Sequence, residues 1–210
     1  GIFDENCKYK FDGFDEFLST NENATQALQS PEDFKRLTQS VLETLAENNV
    51  VYAETFISPD FCGDRDLGAW HEYLAAMREA HVEGVTLKGI VTCIRHLGPE
   101  KAREAAFCAA ETAGDWVVGF GMAGAENVGR AKDYSYSFDM AREAGLRLTS
   151  HAGEWCGAES VWETLRDLRV ERIGHGVHSV NDPKLVEHLA ETGVALEINP
   201  GSNVALGVYP

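Results

Sequence analysis

A histidine and a glutamate within residues Leu146–Glu154 are of the types best suited to chemistry. The segment reads L-R-L-T-S-H-A-G-E, so His151 and Glu154 follow a short apolar run and Gly153 allows a sharp turn between them. An imidazole near a carboxylate suits a divalent metal ion with a neighbouring proton shuttle. The alternative is that both side chains only cap a strand and pair with arginine. A pair on a di-iron helix is disfavoured, because Gly153 and the preceding apolar run argue against a helix.

A second histidine lies between two glycines, in the segment R-I-G-H-G of Arg172–Gly176. Glycines on both sides let backbone and substrate approach closely. His175 is therefore a candidate general base or electrostatic partner, since a histidine works best in these roles near neutral pH. For this motif alone, a solvated loop histidine is the alternative.

A glycine-rich segment, G-F-G-M-A-G-A-E at Gly119–Glu126, opens backbone N–H groups to a ligand, and Gly124 could donate to a ring nitrogen. A tight turn between a strand and a helix is the alternative. Glu54 is expected to be a structural acid that supports Arg95. The alternative is that Glu54 contacts the ligand-binding residues and supports them without touching the ligand. The remaining histidines on helices or loop edges are expected to be ordinary surface residues: His71, His81, His96 and His188.

Apolar runs rich in β-branched residues recur along the chain, and each precedes polar residues and a helical pattern. The runs are Val50–Ile57, Thr86–Ile94, Trp116–Phe120, Leu146–Thr149, Glu171–Ile173 and Val194–Ile198. The helices between them carry start signals, such as Ser30 as an N-cap followed by Pro31 and by acidic residues in the first turn. Strands that alternate with helices in this way indicate parallel β/α units.

Both a doubly wound sheet and a (β/α)8 barrel fit this alternation. Polar residues stand at nearly every predicted strand end, and a barrel gathers all of these ends around one mouth, whereas a doubly wound sheet uses mainly its switch point. No G-x-G-x-x-G or G-x-x-x-x-G-K-[ST] segment supports a nucleotide-binding fold. We therefore predict an α/β fold of the (β/α)8 TIM-barrel type. Residues 1–210 are expected to form a single partial barrel domain with six of the eight units, lacking the first and last strands.

Charge and cysteine usage narrow the class of protein. The 210 residues include 34 acidic and 18 basic side chains, for a formal net charge of −16. This balance argues against nucleic acid or an anionic membrane surface as the main partner, and leaves a small molecule. The five cysteines are widely spaced with no C-x-x-C pair, which indicates reduced thiols in a cytoplasmic protein. No apolar run is long enough to span a membrane, and the start of the sequence shows no basic residues followed by an apolar stretch, so we expect no signal peptide.

Taken together, these segments resemble the adenosine deaminase family of zinc aminohydrolases. The resemblance is carried by S-H-A-G-E, E-R-I-G-H-G, G-M-A-G-A-E, L-E-I-N-P-G-S-N and V-Y-A-E with S-P nearby, in the family's order and over most of the chain. The family's H-x-H pair of the first strand and aspartate pair of the last strand do not occur here.

The resemblance implies a role for each of four residues. His151 is similar to a zinc-binding histidine, and the implied cofactor is Zn²⁺. Glu154 is similar to the acid that protonates the purine ring nitrogen next to the attacked carbon. His175 is similar to the histidine that orients and helps deprotonate the attacking water, and Gly124 to the glycine whose backbone amide binds the purine.

The resemblance therefore implies hydrolytic deamination of adenosine to inosine and ammonia by the full-length protein. Deamination of adenine or of a modified adenosine is the alternative within the same chemistry. A non-catalytic purine-binding barrel, or a fragment that is inactive by itself, is the alternative of another class. The sequence does not indicate an oligomeric state.

Overall fold

The computed structural model describes residue 5 and residues 10–209, which form a curved sheet covered by helices. The six strands are β1 Tyr52–Ile57, β2 Thr86–Ile94, β3 Val117–Ala123, β4 Arg147–Ala152, β5 Arg172–His175 and β6 Ala195–Glu197. The α-helices are α1 Phe14–Thr25, α2 Pro31–Glu47, α3 Leu67–Glu79, α4 Pro99–Glu111, α5 Ser135–Glu143, α6 Ala158–Leu168, α7 Pro183–Thr192 and α8 Pro200–Ala205. Short 3₁₀ helices cover Arg95–Leu97, Ala131–Tyr134 and Val177–Asn181.

The strands pair in their order along the chain, β1-β2-β3-β4-β5-β6, and every pair is parallel. A helix crosses back between each strand and the next, as parallel neighbours require. This arrangement confirms the predicted α/β fold and its six consecutive units of a (β/α)8 barrel.

The sheet is rolled rather than flat, and one half-buried arginine shows this directly. Arg172 on β5 makes an ion pair of 2.8 Å with Glu54 on β1, and its Nε lies 3.2 Å from Glu197 on β6. In a flat sheet β1 and β5 would lie roughly 19 Å apart, because neighbouring strands are about 4.8 Å apart. The curvature of a barrel therefore brings these side chains together in its interior.

The partner predicted for Glu54 was wrong. Glu54 lies in the middle of β1, where it accepts a hydrogen bond of 2.7 Å from the Tyr52 hydroxyl and pairs with Arg172, not with Arg95. Hydrogen bonds from Tyr52 and Arg172 outweigh the effect of burial and lower the pKa of the Glu54 carboxyl. Arg95 instead binds the carbonyl oxygens of Val128 and Gly129.

Several strands continue past their predicted ends. β3 includes Gly121–Ala123, β4 includes Ser150–Ala152 and β5 includes His175. The ladder joins backbone groups, so glycine and polar side chains can continue a strand where the apolar pattern has already stopped. As a result, His151 and His175 are held by rigid strands rather than by loops.

The apolar core lies between the sheet and the helices. Ala102, Ala105, Ala106 and Ala109 of α4 are completely buried, as their small size and spacing predict. At the start of α2, Ser30 forms the predicted N-cap in a reciprocal capping box with Asp33. These packed helices fix the outer face of the sheet and thus the positions of the strand ends.

Four cysteines lie in the described part of the chain and carry free thiols. Cys62, Cys93 and Cys108 are buried, whereas Cys156 is partly exposed. The fifth, Cys7, lies outside the described residues. Over residues 10–209, no helix combines the length and apolar character needed to cross a membrane.

Candidate active site

The four residues singled out by the sequence line one cavity at the carboxyl ends of the strands. Gly124, His151, Glu154 and His175 all contribute to its wall, and its volume is about 380 Å³. In a parallel barrel these ends meet at one mouth, which is where barrel enzymes place their chemistry. The structure thus brings the predicted residues together, while their chemical roles stay predictions.

The His151 side chain, on β4, is held by the neighbouring strand β3. Its Nδ1 lies 3.0 Å from the carbonyl oxygen of Met122 on β3, so Nδ1–H donates and Nε2 keeps a free lone pair. Desolvation, together with the nearby His175 imidazole, lowers the pKa of His151 to about 4. The side chain is therefore neutral at neutral pH, which is the form that can bind a metal ion.

Glu154 follows a turn that only glycine fits. Gly153 has φ +66°, and a Cβ there would lie 2.6 Å from Cγ2 of Val161. Glu154 itself is only 4% exposed. Desolvation, and then the negative charge of Glu126, raises the pKa of Glu154 to about 7. A substantial fraction of this carboxyl is protonated at neutral pH, as a proton donor requires.

His175 faces Glu154 across the cavity. Its Nε2 lies 3.5 Å from Oε1 of Glu154, and burial lowers the pKa of the imidazole. The Asn203 side-chain amide lies against Nδ1 of His175, with its nitrogen at 2.9 Å and its oxygen at 3.3 Å, so it can pair with either tautomer of the ring. His175 also has φ +65°, a strained conformation for a residue with a side chain. The surrounding structure over-determines this conformation and thereby orients the imidazole.

Gly124 directly follows β3 and lies against His96. It has φ +100°, and a Cβ there would lie 2.8 Å from Nδ1 of His96, which accepts a hydrogen bond of 3.3 Å from the Ala125 N–H. His96 lines the cavity, so its expected place among the surface histidines was wrong. Its position after β2 at the barrel mouth is the signal that could have identified it.

Helix α1 closes one side of the cavity with apolar side chains. Phe14, Phe17 and Leu18 line the wall, and the Phe14 ring lies 5.1 Å from that of Trp155, centroid to centroid. Glu22, on the same helix, lies 3.6 Å from Nε2 of His96. The contact between Phe14 and Trp155 joins α1 to the loop that carries Glu154.

Two buried polar residues at this site carried no predicted role. Asn203 is fully buried and orients His175, and Glu126 is only 3% exposed and contacts the loop of Glu154. Glu126 ends the G-M-A-G-A-E segment, so an acid placed after a glycine-rich strand end was the available signal. Asn203 lies in P-G-S-N, where nothing local marks a partner for a distant histidine.

The described residues fit one ligand position of a metal ion but not a closed metal centre. No cluster of three or more His, Cys, Asp or Glu side chains within residues 10–209 is arranged to hold a metal ion. His151 fits as a single ligand, because its Nδ1–H is fixed by a backbone carbonyl and its Nε2 is free. The other ligands would have to come from outside these residues.

Comparison with known proteins identifies the family. The adenosine deaminase family model matches residues 4–210. An adenine deaminase of Agrobacterium fabrum is 46% identical over 209 residues, which cover 97% of this chain and 64% of that protein. An adenine deaminase of Rhizobium leguminosarum bv. trifolii is 42% identical over 207 residues, covering 96% and 64%. The chain thus spans about 64% of the length of the curated relatives it matches.

Solved structures agree with the observed fold. The crystal structure of an adenine deaminase from Arthrobacter aurescens superimposes with a TM-score of 0.83 at 30% identity, covering 95% of this chain and 62% of that one. An amidohydrolase from Burkholderia ambifaria with bound Zn superimposes with a TM-score of 0.78 at 27% identity, covering 87% and 52%. The resemblance inferred from the sequence motifs is therefore confirmed, and the chain belongs to the adenosine deaminase family.

Proposed function

We propose that the full-length protein catalyses the hydrolytic deamination of adenine to hypoxanthine and ammonia. The sequence analysis gave adenosine as the main expectation and adenine as an alternative substrate. The proposal replaces adenosine with adenine. The observation that carries the reaction class is the buried Glu154 carboxyl, with a pKa of about 7, facing His175 at the barrel mouth. The choice of adenine is supported by relatives above 40% identity that are named adenine deaminase.

The walls of the cavity favour an uncharged purine. Phe14, Phe17 and Leu18 offer apolar contact to a flat ring, and Glu22 adds a negative charge at the same wall. Among the described residues that line the cavity, none is lysine or arginine. A phosphate group would therefore meet a carboxylate rather than a cation, which disfavours nucleotides.

Residues of this chain supply the substrate contact and the proton transfers of the proposed reaction. The Gly124 backbone amide binds the purine, and Glu154 donates its proton to the ring nitrogen next to the carbon that bears the amino group. Protonation makes that carbon electrophilic, and His175 orients the attacking water and accepts its proton. Water adds to the carbon, the amino nitrogen takes the proton held by His175 and leaves as ammonia, and the added hydroxyl group returns a proton to Glu154 as the oxo-purine forms.

We further propose that His151 is one ligand of a zinc ion in the full-length protein. The free Nε2 of a neutral imidazole supports this, as does the zinc found in the Burkholderia ambifaria amidohydrolase. Zinc, when bound, lowers the pKa of a water molecule to near neutrality. Replacing His151 with alanine should reduce the zinc content measured by atomic absorption. Replacing the exposed His71 with alanine should leave the zinc content unchanged.

The substrate is tested on the full-length protein with adenine and adenosine in separate reactions. Ultraviolet absorbance follows loss of the aminopurine, ammonia release is measured in parallel, and each reaction is repeated after chelator treatment. Chelator-sensitive turnover of adenine, with adenosine unchanged, is the expected result. Preference for adenosine would keep the reaction class and overturn the substrate. No turnover of either by a zinc-loaded protein would overturn the proposal.

A further inference from the structure

A single buried carboxylate holds the whole loop that carries Glu154. Glu126 accepts hydrogen bonds from four consecutive backbone amides, those of residues 153–156, at 2.5, 3.1, 2.8 and 3.0 Å. A fifth hydrogen bond of 2.6 Å comes from the Ser160 hydroxyl, at the first turn of α6. Glu126 lies in the loop after β3, so this contact ties two neighbouring β/α loops together.

The five partners of Glu126 are all donors. A carboxylate accepts at both oxygens, whereas an amide of the same shape would turn an NH₂ group towards backbone N–H groups. Hydrogen bonds to a charged acceptor are also roughly twice as strong as neutral ones. The loop thus requires both the shape and the charge of a glutamate at this position.

We infer that Glu126 is a positioning residue for Glu154, because it fixes the backbone of the acid-bearing loop and places a second carboxylate beside the acid. This inference rests on the proposed function, in which Glu154 is the proton donor. Glu126 does not line the cavity, so it acts on the substrate only through Glu154.

The charge of Glu126 adds to the effect of burial on Glu154. Desolvation is the larger cause of the raised pKa of Glu154, and repulsion by Glu126 is the second. Four other titratable groups line the cavity with Glu154, namely Glu22 from α1, His96 after β2, His151 from β4 and His175 from β5. Since Glu126 disfavours ionisation of Glu154, it widens the pH range in which the acid is protonated.

Three variants of the full-length protein separate charge from shape. Glu126→Gln keeps the size and removes the charge, Glu126→Asp keeps the charge and shortens the reach, and Ser160→Ala removes one donor only. The kcat and KM for adenine are measured against pH for each. In Glu126→Gln we expect the alkaline limb of kcat/KM to move about one pH unit lower, with kcat reduced more than KM is changed. Glu126→Asp and Ser160→Ala should keep the limb in place.

Equal loss of activity in all three variants with no movement of the limb would overturn the inference, because a purely structural role predicts that result. A double-mutant cycle provides a readout that does not depend on turnover. The free energies of unfolding of wild type, Glu126→Gln, Glu154→Gln and the double variant should show coupling at alkaline pH that disappears in acid. If Glu126→Gln does not fold, the effect of Glu154→Gln on stability is measured against pH in the Glu126→Asp background, where the charge is kept and the pH dependence should persist. Absence of coupling in a folded cycle would overturn the inference even if adenine is deaminated. Coupling without deamination would leave the inference standing and reject the proposed substrate.

Discussion

Replacing Glu154 with glutamine should make the protein more stable at alkaline pH while removing its activity. Glu154 is 4% exposed, and burial followed by the charge of Glu126 raises its pKa from 4.5 to about 7. Glutamine keeps the shape of the side chain but cannot ionise and has no proton to donate at this acidity. The same substitution should therefore raise the stability at alkaline pH and lower the activity.

The size of the stability effect follows from the pKa difference. A folded-state pKa above the unfolded value means that folding favours the protonated carboxyl, so this contribution is complete below pH 4.5 and is lost as pH rises through 7. The difference between 4.5 and about 7 corresponds to about 3.5 kcal/mol at roughly 1.4 kcal/mol per pH unit. Relative to wild type, Glu154→Gln should thus gain about 3.5 kcal/mol between about pH 4 and pH 8.

The activity effect follows from the same titration. General acid catalysis contributes about 10²- to 10⁴-fold, and kcat for adenine should fall by at least this factor in Glu154→Gln. In wild type the proton is present below the pKa and absent above it. Turnover should therefore decline as the pH rises past about 7, the pKa of this carboxyl.

The stability assay is urea unfolding of the full-length protein across this pH range. A chelator is added so that no metal ion contributes its own charge to the site. Glu187→Gln, which removes an exposed carboxylate of α7, is the matched control and should change stability by less than about 0.5 kcal/mol. A constant difference between wild type and Glu154→Gln from acid to alkaline pH would refute the burial argument. Retained turnover would refute the role of Glu154 as the acid.

Three further predictions concern residues that support the site. Gly153→Ala should lower the free energy of unfolding by more than backbone strain alone, which costs about 1–3 kcal/mol, because the new Cβ would lie 2.6 Å from Val161. Gly193→Ala is the control, since Gly193 has φ +71° but open space around it. Equal losses of stability in the two variants would contradict the steric argument. Asn203→Ala removes the side chain that pairs with Nδ1 of His175, and kcat should fall on the order of 10²-fold with a smaller change in KM, since orientation is lost. An unchanged kcat in steady-state assays would contradict this prediction. Arg172→Met should destabilise the protein by about 1–3 kcal/mol in urea unfolding, because two interior carboxylates lose their cation. That loss should shrink as the pH falls through the lowered pKa of Glu54, where this carboxylate becomes protonated, and a pH-independent loss would indicate a packing effect instead.

The candidate site was largely predictable because its residues occupy equivalent places in repeated units. His151 and His175 end adjacent strands, and Gly124 directly follows a third. Parallel strands present their carboxyl ends on one side, so a polar residue at such an end predicts a place at the common mouth. The same logic applied strictly would have included His96, which was instead assigned to the surface.

The support of the site was not predictable from the sequence. Glu126 binds a loop 27 to 30 residues further on, and Asn203 contacts a histidine 28 residues earlier. The partner of Glu54 also depends on how strongly the sheet curves. Apolar periodicity reports which face of an element is buried, but it carries no information about which distant polar groups meet.

The sequence by itself determined the alternation of strands and helices, the barrel class, the family and the four residues at the mouth. These follow from local patterns, since side-chain periodicity and strand-end position are properties of neighbouring residues. Only the tertiary structure decided that Glu154 is buried beside Glu126, that His175 is oriented by Asn203 and that Arg172 joins β1, β5 and β6. Desolvation and Coulomb interactions depend on distances between groups that are far apart in the chain, and those distances exist only once the sheet has curved and packed.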